Sequence, residues 1–216
     1  MKYSVLPIFL SISSLGLGNS IYNISVNTSG LSGVSGDLAF DFTSGGGASI
    51  NTVTITDFAS NGTLGTTDNT GLVTGTLPGT VILSEDPLTS FFNEYLTGFT
   101  FGISISFQLS ATTNAPGPGA SPDEFAFFFL DSSGINSLVT TSDPTDADSL
   151  VLLDLDGSST GVPATFNVSN LTNVNAAATP LTVSTPETHS LLLLVAELAG
   201  IIGGRHFVQR RSRRSA

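Results

Sequence analysis

The sequence predicts an all-β protein, a single β-sandwich or jelly-roll-like domain, and three observations predict it. First, apolar and polar residues alternate in runs. Phe101, Ile103, Ile105, Phe107 and Leu109 oppose Gly102, Ser104, Ser106, Gln108 and Ser110, the pattern of a strand with one buried and one wet face. Second, turn-forming clusters separate the runs: Gly45-Gly46-Gly47, Pro116-Gly117-Pro118-Gly119 and Asp156-Gly157. Third, 23 Gly and 15 Phe with abundant Ser, Thr and Val favour strands and turns over helices. A chain of 216 residues fits one domain and can bury a core without disulfides, which the absence of Cys rules out.

In chain order, Met1-Lys2 and the apolar stretch Val5 to Leu17 have the layout of a secretory signal peptide over residues 1–20. Small residues in Gly18-Asn19-Ser20 place a candidate cut before Ile21. The cargo domain then spans 21–175. Tyr22, Ile24 and Val26 face one way along its first strand, Leu38, Phe40 and Phe42 repeat the pattern, and Val53 and Ile55 sit in a β-branched run. Leu88 to Leu96, with Phe91, Phe92, Tyr95 and Leu96, has helix-like spacing and predicts a short helix. Glu124 to Leu130 is apolar on both faces, as is Ser149 to Leu155, so both strands need cover on two sides. Val162 to Asn170 predicts a late strand. Residues 176–190, rich in Ala, Thr, Pro and Ser, read as a linker, and 191–216 as a hydrophobic helix with a basic tail.

Charge is unevenly distributed. All six basic residues, Lys2, Arg205, Arg210, Arg211, Arg213 and Arg214, lie at the two ends. Of 17 acidic residues only Glu187 and Glu197 lie in the tail, so the body carries fifteen carboxylates and no Lys or Arg. Nucleic acid is therefore not an expected partner, because polyphosphate binding needs cationic contacts. Both histidines, His189 and His206, lie in the tail, and the body has no Cys. No Ser-His or Cys-His pair, His- or Cys-based zinc site, Schiff-base lysine or Walker-type phosphate clamp can form there. An enzyme is not expected; one would need two body carboxylates facing each other in a cleft.

A hard cation is the better match for the remaining oxygens. Asp143, Asp146, Asp148, Asp154 and Asp156 crowd negative charge into a short stretch with no base to answer it, and Ca²⁺ accepts such ligands. The competing reading has these residues decorating a loop and a strand end. The Asn-x-Ser/Thr sequons at Asn23, Asn27, Asn61, Asn167 and Asn170 are expected by chance in so Ser/Thr-rich a chain, and Leu77-Pro78-Gly79-Thr80 reads as a turn.

The tail carries the sharpest signal. Pro186-Glu187-Thr188 precedes an apolar run from Leu191 to Gly204, and Arg205, Arg210, Arg211, Arg213 and Arg214 follow. The run is shorter than the roughly 20 residues that span a bilayer. A weakly held segment with arginines retained on the cytoplasmic side suits a transient stop before processing. This order resembles the PEP-CTERM sorting signal of bacterial exported proteins, with Thr188 where the family has its second proline and Glu197 within the apolar run. The body also resembles the cargo of some such proteins, in Leu31-Ser32-Gly33-Val34-Ser35-Gly36, Phe91-Phe92-Asn93-Glu94-Tyr95 and Leu130-Asp131-Ser132-Ser133-Gly134. The resemblance implies processing by an exosortase-type enzyme, membrane attachment until then, and a surface or matrix protein of bacteria that make extracellular polysaccharide. An uncleaved anchor and an amphipathic or core helix are the other readings of the tail. For the body the alternative is a carbohydrate-binding module, with Tyr22 and Tyr95 as its sugar platforms in a chain without Trp.

Overall fold

The computed structural model describes residues 19–47, 50–85, 91–157 and 161–181. They form an all-β structure of twelve strands: β1 (Asn19–Asn27), β2 (Ser35–Thr43), β3 (Thr52–Ser60), β4 (Thr63–Thr70), β5 (Val73–Gly75), β6 (Val81–Ser84), β7 (Phe92–Thr100), β8 (Ser104–Thr112), β9 (Asp123–Leu130), β10 (Val151–Leu155), β11 (Ala164–Thr165) and β12 (Asn175–Pro180). One sheet runs β12-β1-β8-β3-β6-β5 and the other β11-β10-β9-β2-β7-β4, consistent with a β-sandwich. Every strand pair is antiparallel.

The predicted alternation decides which side chains meet. Tyr22, Ile24 and Val26 of β1, Ile105, Phe107 and Leu109 of β8 and Val53 and Ile55 of β3 point inward from the first sheet. Leu38, Phe40 and Phe42 of β2 and Phe125, Phe127 and Phe129 of β9 answer from the second. The sheets meet in an aromatic cluster, with Phe107 5.3 Å from Phe40 and 5.2 Å from Phe127, both near edge-to-face. That geometry sets the positive ring edge against the negative face.

Four expectations are corrected. No helix forms over the described part of Leu88–Leu96: from Phe92 onward it is β7. Its alternation is hidden because two inward positions are polar, Asn93 and Thr97, both buried. Asn93 Oδ1 accepts the Leu72 amide at 2.7 Å, and Thr97 Oγ1 donates to the Thr66 carbonyl at 3.4 Å. Ile103 leaves the inward set and is 54 % exposed, because it lies in the β7–β8 connection, where Asn61 Oδ1 accepts its amide. The Ala/Thr stretch expected to open the linker is β12, with Ala176 opposite Val26 and Ala178 opposite Ile24. Small side chains there pack against the core, which a composition reading takes for a linker. Finally, the late strand over Val162–Asn170 contracts to β11 plus isolated bridges at Asn167 and Val168.

Of the signal peptide expected over 1–20, Asn19 and Ser20 instead open β1, paired with Thr112 and Ala111, while its remainder up to residue 18 and everything from residue 182, including the hydrophobic helix, lie outside the described residues. Among the described residues no helix is long and apolar enough to cross a membrane.

Candidate functional site on the outer face of the second sheet

Because side chains alternate, the residues between the buried phenylalanines of β2 and β9 line the outer face of the second sheet. Register collects the carboxylates there. Asp41 sits between Glu94 of β7 and Ala126 of β9. One step along, Thr43 lies beside Glu124, which faces Asp154 of β10. One step the other way, Ala39 lies between Leu96 and Phe128, and Asp68 of the edge strand β4 faces Leu96. Neighbouring strands are about 4.8 Å apart, so these acids are close neighbours among partly exposed Leu96, Phe128 and Leu152.

No Lys, Arg or His occurs among the described residues, so this negative charge has no cation of the body to neutralise it. Burial, helped by Glu94, pushes the Asp41 carboxyl up to about 8. Its Oδ1 is buried without a hydrogen-bond partner. Burial and Asp68 raise Glu94; burial, Asp154 and Asp143 raise Glu124. At the far end Asp37 is raised by burial and by Asp131, against an opposing hydrogen bond from the Gly134 amide. There a groove of about 370 Å³ opens between Asp37, Thr63, Gly65, Gly98 and Ser132. Its floor is low because Gly65 and Gly98 face each other: a Cβ on Gly65 would lie 3.1 Å from the Gly98 carbonyl oxygen.

A second acidic group is sealed inside. Glu85 and Asp123 are both buried. Glu85 Oε1 accepts from Ser44 Oγ, and Oε2 accepts the Asn51 amide at 3.1 Å. Asp123 Oδ1 accepts the Gly45 amide at 2.8 Å and Oδ2 accepts Asn51 Nδ2 at 2.7 Å. Burial above all raises Glu85, and neighbouring Asp123 adds to it; the Ser44 and Asn51 donors oppose the rise. With every oxygen engaged, the pair joins Ser44 and Asp123 of the second sheet's strand ends to Asn51 and Glu85 of the first.

Of the five aspartates expected to hold Ca²⁺, Asp143 and Asp148 have carboxylates bonded within the protein. Asp143 Oδ1 accepts from the Thr145 amide and hydroxyl, and Oδ2 from the Ser149 amide and hydroxyl. Burial would raise its carboxyl, but these bonds outweigh it and hold it below the ordinary range. Asp148 Oδ1 accepts the Thr141 amide at 2.8 Å. Asp146 and Asp148 take left-handed backbone, φ 60° and 61°, as turn aspartates can. Asp154 faces Glu124, and Asp156 follows β10. Among the described residues no three His, Cys, Asp or Glu side chains converge on a metal-sized site. Pro186, Glu187, Thr188 and the five tail arginines lie outside the described residues.

Asp41, Glu94, Glu124, Asp37, Glu85 and Asp123 are absent from the residues singled out by sequence. Asp41 between Phe40 and Phe42 is visibly an outward position on a strand, but only cross-strand register brings Glu94 beside it. Compared with family models, with curated proteins and with solved structures, the chain matches none.

Proposed function

We propose that this chain is an exported bacterial surface or extracellular-matrix protein, a structural rather than catalytic cargo delivered by its C-terminal tail. In this reading the two sheets form a β-sandwich of jelly-roll type, residues 1–20 are a signal peptide whose removal trims Asn19 and Ser20 from the start of β1, and 191–204 form a helix that holds the chain in the membrane. Pro186-Glu187-Thr188 is the processing motif, and the arginines keep the tail on the cytoplasmic side.

The observation that carries the reading is where the body stops. Its last strand, β12, ends at Pro180, and the compact unit closes at Leu181, just short of the motif. A cut there would release every strand of the body intact, since backbone outside the paired elements is where cleavage is tolerated. A sugar-binding module has less support, because Tyr22 and Tyr95 are core residues at 2 % and 1 % exposure and offer no platform.

The test is the intact mass and C-terminal sequence of the protein recovered from outside its native cells. A C-terminus between Ser184 and Ser190 is expected. A chain still ending at Ala216 would overturn the sorting role.

A further inference from the structure

We propose that the outer face of the second sheet docks a lysine-rich segment of a partner protein, its ammonium groups seated among Asp41, Glu94, Glu124 and Asp154 and its alkyl stems lying along Leu96, Phe128 and Leu152. The proposal does not depend on processing of the tail.

Charge complementarity is the first argument. The titratable group opposite Asp41 is Glu94 of β7, and around them on the same face lie Glu124 of β9, Asp154 of β10 and Asp68 of β4, all of them acids. The other sheet makes the contrast. Its outward strand positions carry Asn23, Ser25, Thr54, Ser106, Gln108 and Ser110, hydroxyls and amides without charge, and among its described strands Asp57 of β3 is the one carboxylate. A cation is thus drawn to one face of the molecule.

The second argument is depth. Asp41 Oδ1 lies buried with no donor to bond it, and Asp41 is flanked by Glu94 and Ala126, with Leu96 and Phe128 one step along. Lysine suits such a place. Its compact ammonium brings three donors on a flexible four-carbon stem, and that stem covers apolar surface on the way in. An amine fixed to a sugar ring lacks this reach, and the chain has no Trp on which a ring could stack.

The experiment is titration calorimetry of the full chain with a deca-lysine peptide at pH 7 and low salt, run in phosphate and in Tris. Saturable binding is expected, with an apparent enthalpy that differs between buffers because an arriving ammonium drives a proton off Asp41. Asp41→Asn should reduce that difference and weaken binding about tenfold. Glu94→Gln with Glu124→Gln should weaken it by a similar factor, and both positions are partly exposed, so this variant tests the face even if Asp41→Asn fails to fold. Asp57→Asn with Asp146→Asn removes two charges elsewhere and should change affinity by no more than about twofold. Equal weakening by the two double variants would reduce the effect to net charge and overturn the proposal. Absence of binding, or of any buffer dependence, would overturn it too. Tighter binding of a glucosamine hexamer than of deca-lysine would replace the protein partner by an amine-bearing glycan.

Discussion

Asn51 does more to join the sheets than its size suggests. It is 1 % exposed and bonds groups from both sides of the core. Its amide serves Glu85, and its Nδ2 serves Asp123 and the Asn114 carbonyl. Its Oδ1 accepts from the Asn114 amide at 2.8 Å and from Thr112 Oγ1 at 3.0 Å. Removing the side chain would leave Asp123 Oδ2 without its buried donor and break three part-buried bonds to Thr112 and Asn114, and each buried unsatisfied group costs about 1–3 kcal/mol. Asn51→Ala is therefore expected to lower stability by roughly 3 kcal/mol, seen in urea as a lower midpoint with unchanged slope. A loss below about 1 kcal/mol would mean that water replaces the lost bonds. Asn51→Asp should do at least as much harm, because it sets a third carboxyl against Glu85 and Asp123. Nothing in the local sequence Ser49-Ile50-Asn51-Thr52 marks this residue, since all its side-chain partners lie far along the chain.

At the level of strands, alternation carried the reading wherever the inward residues are apolar, as in β1, β2, β8 and β9. It failed where the fold places polar residues inward, as with Asn93 and Thr97 of β7, and where alanine stands for a larger core residue, as in β12. The candidate site was less legible still. Each acid could be placed on an outward face, but which acids become neighbours depends on register, a property of strand pairs that no single strand encodes. β3 adds a local case. Strict alternation from Val53 and Ile55 would turn Asp57 inward, but register shifts between Thr56 and Ala59, leaving Asp57 exposed and Phe58 packed inside. The bulge is built on Asp57 at φ 52°, a left-handed conformation that Asp tolerates and β-branched residues do not. Asp57→Val should therefore cost about 1–2 kcal/mol, whereas Asp57→Gly should be close to neutral. Chemical denaturation of the two variants checks this, and equal effects would show that the backbone conformation is not what Asp57 supplies.

For the molecule as a whole, fifteen body carboxylates with no internal cation make stability a function of pH. Asp37, Asp41, Glu85, Glu94 and Glu124 are all raised, by burial first and then by acidic neighbours. A raised carboxyl holds its proton in the folded state at pH values where the unfolded chain has lost it. Its stabilising contribution is complete below the unfolded value, near 4, and fades as pH climbs through the folded value, about 8 for Asp41. Asp131 and Asp143 have the opposite sign. Hydrogen bonds from Ser133 and Asn136 hold Asp131 below the ordinary range, and those from Ser149 and Thr145 outweigh burial at Asp143, so both contributions are lost on strong acidification. Stability should therefore peak in mildly acidic solution and fall toward pH 8.5, with a slope of about 1.4 kcal/mol per pH unit for each extra proton the folded state holds. Mutual repulsion among the carboxylates acts in the same direction. Thermal melts of the full chain across this range provide the check, with Asp41→Asn as the diagnostic variant. Without a carboxyl to ionise at this buried position, the variant should lose part of the alkaline decline and melt above the parent at pH 8.5. A parent whose melting temperature is level or rising from pH 5 to 8 would mean that these acids ionise freely in the fold. The outer face of the second sheet would then hold its full negative charge already at pH 5.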